Sequence, residues 1–499
     1  MMDQIPRNGM ANAPTCATVR LARPDPLAGG IGAGGSRMAA AVAEPRDQHA
    51  GHHTGATSGT QGAHEQLLHR APLRVFISGG TGLIGKALAE RLERYGHGVI
   101  LGVRDEAEAS RSQPGARFVQ LDFTGRPDPS VALLAGVDVV VNAAGIFNET
   151  STQSFDDVHV KGPCTLFDLA AQAGVKRIIQ ISALGAELHA DTRYWRSKAR
   201  GDRCASAFAG TVVVVRPSLV YAGLGASSVL FQRLAVLPWL PLPATAGEVQ
   251  PIHLDDLVDG LVALVQHPQP PQLVAAVGPV ALGMDAYLRA LSPAAVKHRI
   301  VWRIPMRVAL PLAKFLQKLP GSTVSADALK MLAHPNTANA APWAALVGRP
   351  LRRPDQFVEP ARRQQAHQLA VLANMLPVLR LSLSLTWLIT AWVSAFVYPQ
   401  AASLDLLVRA QVPLVLAPVA LYTAALLDAA LALAMWVRRL RRGVYLLQIG
   451  LMLVYSAIIS LWLPEYWAHP YGPMVKNLPM LALTALLLWL ESPHGRGTR

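Results

Sequence analysis

Ser78-Gly79-Gly80-Thr81-Gly82-Leu83-Ile84-Gly85 lies between an apolar run, Arg74 to Ser78, and a helical stretch, Lys86 to Tyr95. The three glycines at Gly79, Gly82 and Gly85 have separate physical tasks. One permits a tight turn, one lets backbone approach a pyrophosphate, and one lets the helix pack closely, with the phosphate on the helix N-terminus. In a chain with 39 glycines the spacing alone says little. A strand before it and a helix after it make it specific.

Outward from this turn, apolar runs of strand length alternate with helical stretches: Gly98 to Val103, Ala116 to Leu121, Val137 to Asn142, Arg177 to Ser182 and Thr211 to Val215. That alternation predicts an α/β fold with a parallel, doubly wound sheet. The second run ends at Arg104, about twenty residues past Gly82, where a carboxylate would hold a ribose 2′-hydroxyl. A guanidinium there suits a 2′-phosphate, so NADP(H) is expected as cofactor, with NAD(H) the alternative. The neighbouring Asp105 favours NAD(H), and a solvated surface arginine is the bland reading. Asp122, at the end of the third run, could accept from an adenine amino group or cap the next turn.

The fourth run ends Asn142-Ala143-Ala144-Gly145, small residues against which a nicotinamide ribose can lie, though close helix packing selects them equally. The fifth ends at Ser182. Twelve residues later comes Tyr194-Trp195-Arg196-Ser197-Lys198. A tyrosine and a lysine four apart share a helix face, so the ammonium can depress the phenol's pKa and hold ribose hydroxyls while the phenol exchanges a proton with substrate.

The order of these motifs, closing with Arg216-Pro217-Ser218-Leu219-Val220-Tyr221, resembles the extended and atypical short-chain dehydrogenase/reductases, and among them the NAD(P)-binding proteins akin to the complex I accessory subunit. Pro251-Ile252-His253-Leu254-Asp255-Asp256 is similar to the stretch with which these proteins enter the small substrate subdomain. The resemblance covers residues 73 to about 360 and implies a Rossmann fold. It makes Tyr194 the general acid/base, Lys198 its pKa tuner and ribose anchor, and Ser182 a carbonyl polariser. It also implies cofactor contacts at Gly79, Thr81, Gly82, Leu83, Ile84, Gly85, Arg104, Asp122, Asn142, Ala143, Ala144, Gly145, Lys198 and Pro217, with no metal.

The rest of the chain has another character. Of 499 residues 51% are hydrophobic and only 16% charged, against about 25% charged in a soluble domain. Residues 1–72, rich in Ala, Gly, Pro and Thr with a loose cluster at His49, His52, His53, His64 and His69, read as disordered, and Met38 is a candidate shorter start. Residues 73–300 form the Rossmann domain with the start of its subdomain. Residues 301–365 are basic and amphipathic, as in Pro305 to Leu319, consistent with a surface helix or an interfacial one. Residues 366–499 hold four apolar segments, Leu381 to Tyr398, Leu414 to Trp436, Val444 to Leu463 and Val475 to Leu490, expected as a four-span helical bundle although the last is short. Its His469-Pro470-Tyr471-Gly472-Pro473 and Lys476-Asn477-Leu478-Pro479 resemble the DoxX-like membrane family.

Of the net charge of +14, +12 falls after residue 300, beside the apolar segments. This argues for anionic lipid and topology signals rather than nucleic acid. Arginines before the first span and at Arg438, Arg439, Arg441 and Arg442, with Arg496 and Arg499 after the fourth, predict a multi-pass protein of the cell (inner) membrane with both termini and the Rossmann domain cytoplasmic. Cys16, Cys164 and Cys204 are too few and too irregular for a disulfide framework or a four-ligand zinc site, which excludes a small secreted scaffold and suggests a reducing compartment. Asp428 and Gln448, inside spans, are either functional or structural polar groups.

Two functions compete, ahead of a third, a small nicotinamide-regulated transporter that rests only on Asp428 and Gln448. One is a membrane-tethered NADP(H)-dependent oxidoreductase, or an epimerase or dehydratase using the same residues, acting on a hydrophobic metabolite at the lipid bilayer. The other is a non-catalytic NADP(H)-binding scaffold or redox sensor coupled to a membrane protein partner.

Overall fold

The computed structural model describes residues 71–123, 130–223, 225–292, 299–317, 325–470 and 472–491. The histidine cluster, Met38, Lys318, Leu319, Arg496 and Arg499 lie outside these.

The sheet is built from β1 (Arg74–Ser78), β2 (Gly98–Val103), β3 (Phe118–Gln120), β4 (Val139–Asn142), β5 (Arg177–Ile181), β6 (Thr211–Pro217) and β7 (Leu273–Ala276). All pair parallel in the order β7-β6-β5-β4-β1-β2-β3. The direction of winding reverses between β1 and β4, and the crevice at their C-terminal ends is where ligands of such sheets bind. The strands read as near-continuous apolar runs because both faces are covered. One face packs α1 (Leu83–Arg94) and the helix Leu254–Gln266 over Val75, Ile77, Val139 and Val141. The opposite face packs α3 (Gly162–Gln172) and α4 (Arg193–Ser206) around Phe76, Val140, Leu166 and Phe167. Between them, α2 (Glu106–Ser112) follows β2.

Pro251 to Asp256 proves to be a structural clamp. Asp256 is fully buried and accepts the Arg352 backbone N–H at 2.7 Å and its guanidinium at 2.6 Å, with Arg349 at 2.7 Å. Trp343 fills the space over Gly260, where a Cβ would lie 2.3 Å from the indole. The expected boundary at residue 300 falls on the first residue of the strand Ile300–Ile304, which pairs parallel with Trp239–Pro243, so residues on both sides of it form one subdomain.

Cys164 on α3 and Cys204 on α4 require one correction to the cysteine reading. The two helices run side by side, and these residues meet as a disulfide with Cα atoms 5.0 Å apart.

Of the four expected spans, three form helices long and apolar enough to cross a membrane: Arg363–Trp392 continued by the turn to Val397, Ala417–Ala434, and Arg441–Trp462. The fourth, Asn477–Glu491, has 15 residues, about 22 Å of helix against a hydrocarbon core of about 30 Å. The bundle core joins Leu383, Trp387, Leu431, Met435, Tyr445, Met452 and Leu487. At one end Arg380 and Arg441 both pair with Glu491, a largely buried charge cluster.

The first apolar helix starts well before the expected Leu381. Its N-terminal part packs on the subdomain helix Ala226–Ala235, where Arg233 Nε donates to Asn374 Oδ1 at 3.0 Å and Asn374 Nδ2 donates to the Arg233 carbonyl at 2.8 Å.

Candidate cofactor and active site

The turn after β1 has the geometry its glycines imply. Gly79 adopts φ +75°, and a Cβ there would sit 2.8 Å from the Ala144 backbone. At Gly85 a Cβ would sit 2.3 Å from the Gly79 carbonyl, which explains the close start of α1. Gly82 caps α1 without any side chain over the helix end, and Thr81, Gly82 and Leu83 are exposed. The first-turn N–H groups of α1 are thus presented outward, and backbone rather than side chains forms the floor. These features fit a pyrophosphate.

At the end of β2, Arg104 is exposed above an open depression that it shares with Ser110 and Gln120. Asp105 is occupied: its carboxylate accepts the Glu108 N–H at 2.8 Å and caps α2. Asp122 is half-buried just past β3. Asn142, fully buried, donates to Gln180 at 2.8 Å and accepts from the Ala144 N–H, so Ala143, Ala144 and Gly145 leave the sheet along a fixed path.

Thr192 accepts the Trp195 N–H and starts α4. Lys198, four residues after Tyr194, is buried, donates to the Ile181 carbonyl at 3.2 Å, and has its Nζ against Gly145. Burial pulls its ammonium down to about 8, with Asp202 opposing. The Tyr194 ring packs among Phe147, Phe155 and His159 at centroid distances of 5.0, 6.0 and 5.6 Å. The expected depression of the phenol's pKa is not found. Burial among these rings pushes it up to about 12, so the phenol keeps its proton.

Ser182 is buried, and its hydroxyl donates to Asp202 at 2.9 Å; Asp202 pairs with Arg216 at 3.1 Å. Pro217 ends β6 beneath this group and accepts the Leu184 N–H at 2.8 Å.

His159 was not foreseen from the sequence. It lies in a π-helical turn, Asp157–Lys161, of the kind that often marks functional sites. Its Nε2 accepts the Ile146 N–H at 3.0 Å, which leaves the proton on Nδ1, 2.9 Å from Ser197 Oγ; that hydroxyl donates to the Tyr194 carbonyl at 2.8 Å. Gly201 makes the approach possible, since a Cβ would meet the His159 carbonyl at 2.2 Å. Among the described residues no cluster of potential metal ligands occurs.

Residues 79–222 match the NAD(P)H-binding family, and residues 384–485 match the DoxX-like family. The chain joins an NAD(P)-binding Rossmann domain to a DoxX-like domain. The Rossmann domain is related to NADH dehydrogenase [ubiquinone] 1 alpha subcomplex subunit 9 of Dictyostelium discoideum, 26% identical over 198 residues, which are 38% of this chain and 55% of that protein. It is also 29% identical over 197 residues to the ceramide reductase of Caulobacter vibrioides, with 39% and 61% covered. The chain therefore spans about half to three fifths of the length of these relatives. Among solved structures, a nucleoside-diphosphate-sugar epimerase from Staphylococcus aureus is similar with a TM-score of 0.46 and 17% identity, over 57% of this chain and 99% of that one. In the DoxX-like domain, Asp428 and Gln448 are buried, and the Gln448 amide has no hydrogen-bond partner among the described residues.

Proposed function

We propose that the chain is a membrane-bound, NADP(H)-dependent oxidoreductase that reduces a hydrophobic carbonyl compound. The observation that carries this is the pair on α4: a phenol set among Phe147, Phe155 and His159, and, one turn on, a buried lysine lying against the loop that follows β4. When bound, a dihydronicotinamide supplies the hydride. Tyr194 then gives its phenolic proton to the oxygen that becomes a hydroxyl. Lys198, held beside Gly145, is within the region where ribose hydroxyls would lie, and its positive charge offsets the tyrosinate left behind. The rings of Phe147 and Phe155 pack against the phenol at centroid distances of 5.0 and 6.0 Å. The likeness to a ceramide reductase is in keeping with a lipophilic substrate.

Arg104 favours NADP(H). Its guanidinium is exposed above an open surface that Asp105 and Glu106 also line, and Asp105 is committed to capping α2. The test is NADPH consumption by the full chain in lipid nanodiscs with long-chain keto lipids, comparing wild type with Tyr194→Phe. Equal rates would remove the catalytic reading.

A specific observation keeps the second reading, a non-catalytic NADP(H)-binding scaffold or redox sensor. The Ser182 hydroxyl is engaged by Asp202, so Tyr194 alone remains to grip a carbonyl. Tight NADPH binding with no turnover on any lipid would support it. An epimerase or dehydratase, in contrast, would convert substrate without net release of oxidised nucleotide.

The arginine-rich turn from Arg438 to Arg442 favours a cytoplasmic Rossmann domain in a cell membrane. A reporter active only outside the cytosol should be silent after Arg442 and active between Ala401 and Arg409. The reverse pattern overturns the orientation.

A further inference from the structure

The subdomain exposes an apolar surface that its own fold does not explain. In the ribbon formed by Trp239–Pro243 and Ile300–Ile304, Ile300 stands beside Trp239 and Trp302 beside Pro241. Leu240 and Leu242 point into the core, as one face of a ribbon should. The other face is apolar too, with Trp239 71%, Ile300 63% and Trp302 72% exposed. The helix that follows, Met306–Leu316, is inverted relative to a soluble amphipathic helix. It buries the small Ala309 and Ala313 and turns Val308, Leu312 and Phe315, spaced i, i+4, i+7, outward. Large apolar side chains that could have filled a core are presented on the surface instead, and exposed apolar clusters of this kind mark contact sites.

Two observations identify what covers this face. Between Asp285 and Asp327 the sequence has seven Lys and Arg and no Asp or Glu, and Arg303, Arg307 and Lys314 are exposed on the ribbon and helix themselves. Cations interleaved with Trp, Phe and Leu suit the headgroup and acyl boundary of an anionic bilayer. The second observation is position. Arg233, six residues before Trp239, is bonded to Asn374, and Asn374 stands six residues, about 9 Å of helix, before Arg380, which pairs with Glu491 at the end of the apolar bundle. The ribbon thus begins close to the level at which the first apolar helix enters its lipid-facing stretch.

We propose that this ribbon and helix form a second, in-plane contact with the bilayer, separate from the spanning helices. The inference does not depend on the reductase reading. It requires only that the apolar helices sit in a membrane. The surface lies one element from the candidate site. Gln317, just after the helix, accepts the Ala326 N–H at 3.3 Å, and the helix Ala326–Ala333 leads to His334, 2.8 Å from Asp191 beside α4.

The test places a nitroxide at Trp302→Cys, Leu312→Cys and Phe315→Cys, one at a time, in the full chain carrying Cys16→Ser. The protein is held in nanodiscs of mixed phosphatidylcholine and phosphatidylglycerol. Exposed positions tolerate the label, and Leu426→Cys on the second apolar helix and Asp168→Cys on α3 serve as lipid and water references. At the three test positions, oxygen should relax the spin severalfold more effectively than a water-soluble nickel chelate, as at Leu426. Values matching Asp168 overturn the proposal while leaving the spans intact. Low accessibility to both reagents also overturns it, because a protein surface would then cover the face. Water-like values at Leu426 as well would instead refute the membrane placement of the helices themselves.

Discussion

His159 accepts the backbone N–H of Ile146 at 3.0 Å from a fully buried position, and so fixes the loop that leaves β4 toward the candidate cofactor site. Burial, aided by the nearby Lys198 cation, pulls this imidazole down to about 2, which keeps it neutral and able to accept at any physiological pH. Replacing it with phenylalanine leaves the Ile146 amide without its acceptor, at a cost of about 1 to 3 kcal/mol. The expected result for His159→Phe is a folded protein with lower melting temperature and weaker NADPH binding. Calorimetry with and without nucleotide reads both, and wild-type values would show that the loop is held by other means.

Tyr194→Phe keeps the ring among Phe147, Phe155 and His159 but removes the proton. Nucleotide affinity should be retained while turnover falls about 10² to 10⁴-fold, the usual weight of general acid/base catalysis. Because the wild-type phenol stays protonated to about 12, its own titration should leave no mark on the rate near neutral pH.

Lys198 supplies the pH dependence instead. Its folded pKa of about 8 lies below the ordinary lysine value, so the folded state binds fewer protons than the unfolded state between about 8 and 10.5. Stability therefore rises with pH across that window, and below it the buried charge opposes folding. Nucleotide binding should move the other way, weakening as the ammonium is lost above about 8. Lys198→Met should accordingly raise the melting temperature at pH 7 and abolish the alkaline change in affinity. A mutant less stable than wild type at pH 7 would contradict this account.

Gly82→Asp puts a carboxylate at the open N-terminus of α1, where the pyrophosphate is expected, and nucleotide binding should vanish in a protein that still folds. Arg104→Ala tests the other end of the cofactor. It should weaken NADPH about ten- to a hundredfold by loss of a charge-assisted pair and leave NADH unchanged. Equal losses for the two nucleotides would show that Arg104 does not contact the 2′-phosphate.

The strands from β1 to β6 were legible because a doubly covered sheet forces continuous apolar runs, and each falls where its run was read. The ends moved by one to two residues where a tight turn intervenes, as at Gly115 and Gly136, both with positive φ. The glycine turn and the Tyr194 and Lys198 pair were legible because their spacing is local. His159 was not. Its role depends on the π-helical turn, on Gly201 from another element and on the loop after β4, three non-local facts. The sign of the Tyr194 shift was missed for a similar reason, since the lysine is four residues away in sequence while the burying rings come from distant segments. The pairing of Cys164 with Cys204 likewise needs two helices laid side by side. For the inverted helix Met306–Leu316 the sequence left a surface and an interfacial helix open, because composition does not reveal which of its faces the subdomain covers.

The helix Arg363–Trp392 extends over 30 residues, about 45 Å, with Pro377 between Asn374 and Arg380, and is bonded to the subdomain through Arg233 and Asn374 before it reaches the apolar bundle. A rod held at both ends limits swivel. The candidate site is consequently held like a workbench bolted at set height above the floor, unlike a bucket on a rope. On the proposed reductase reading, it would serve molecules whose reactive carbon projects to that elevation. Lengthening or shortening the rod by one turn between Asn374 and Arg380 would shift the preferred depth of that carbon within the acyl chain while leaving the chemistry itself untouched.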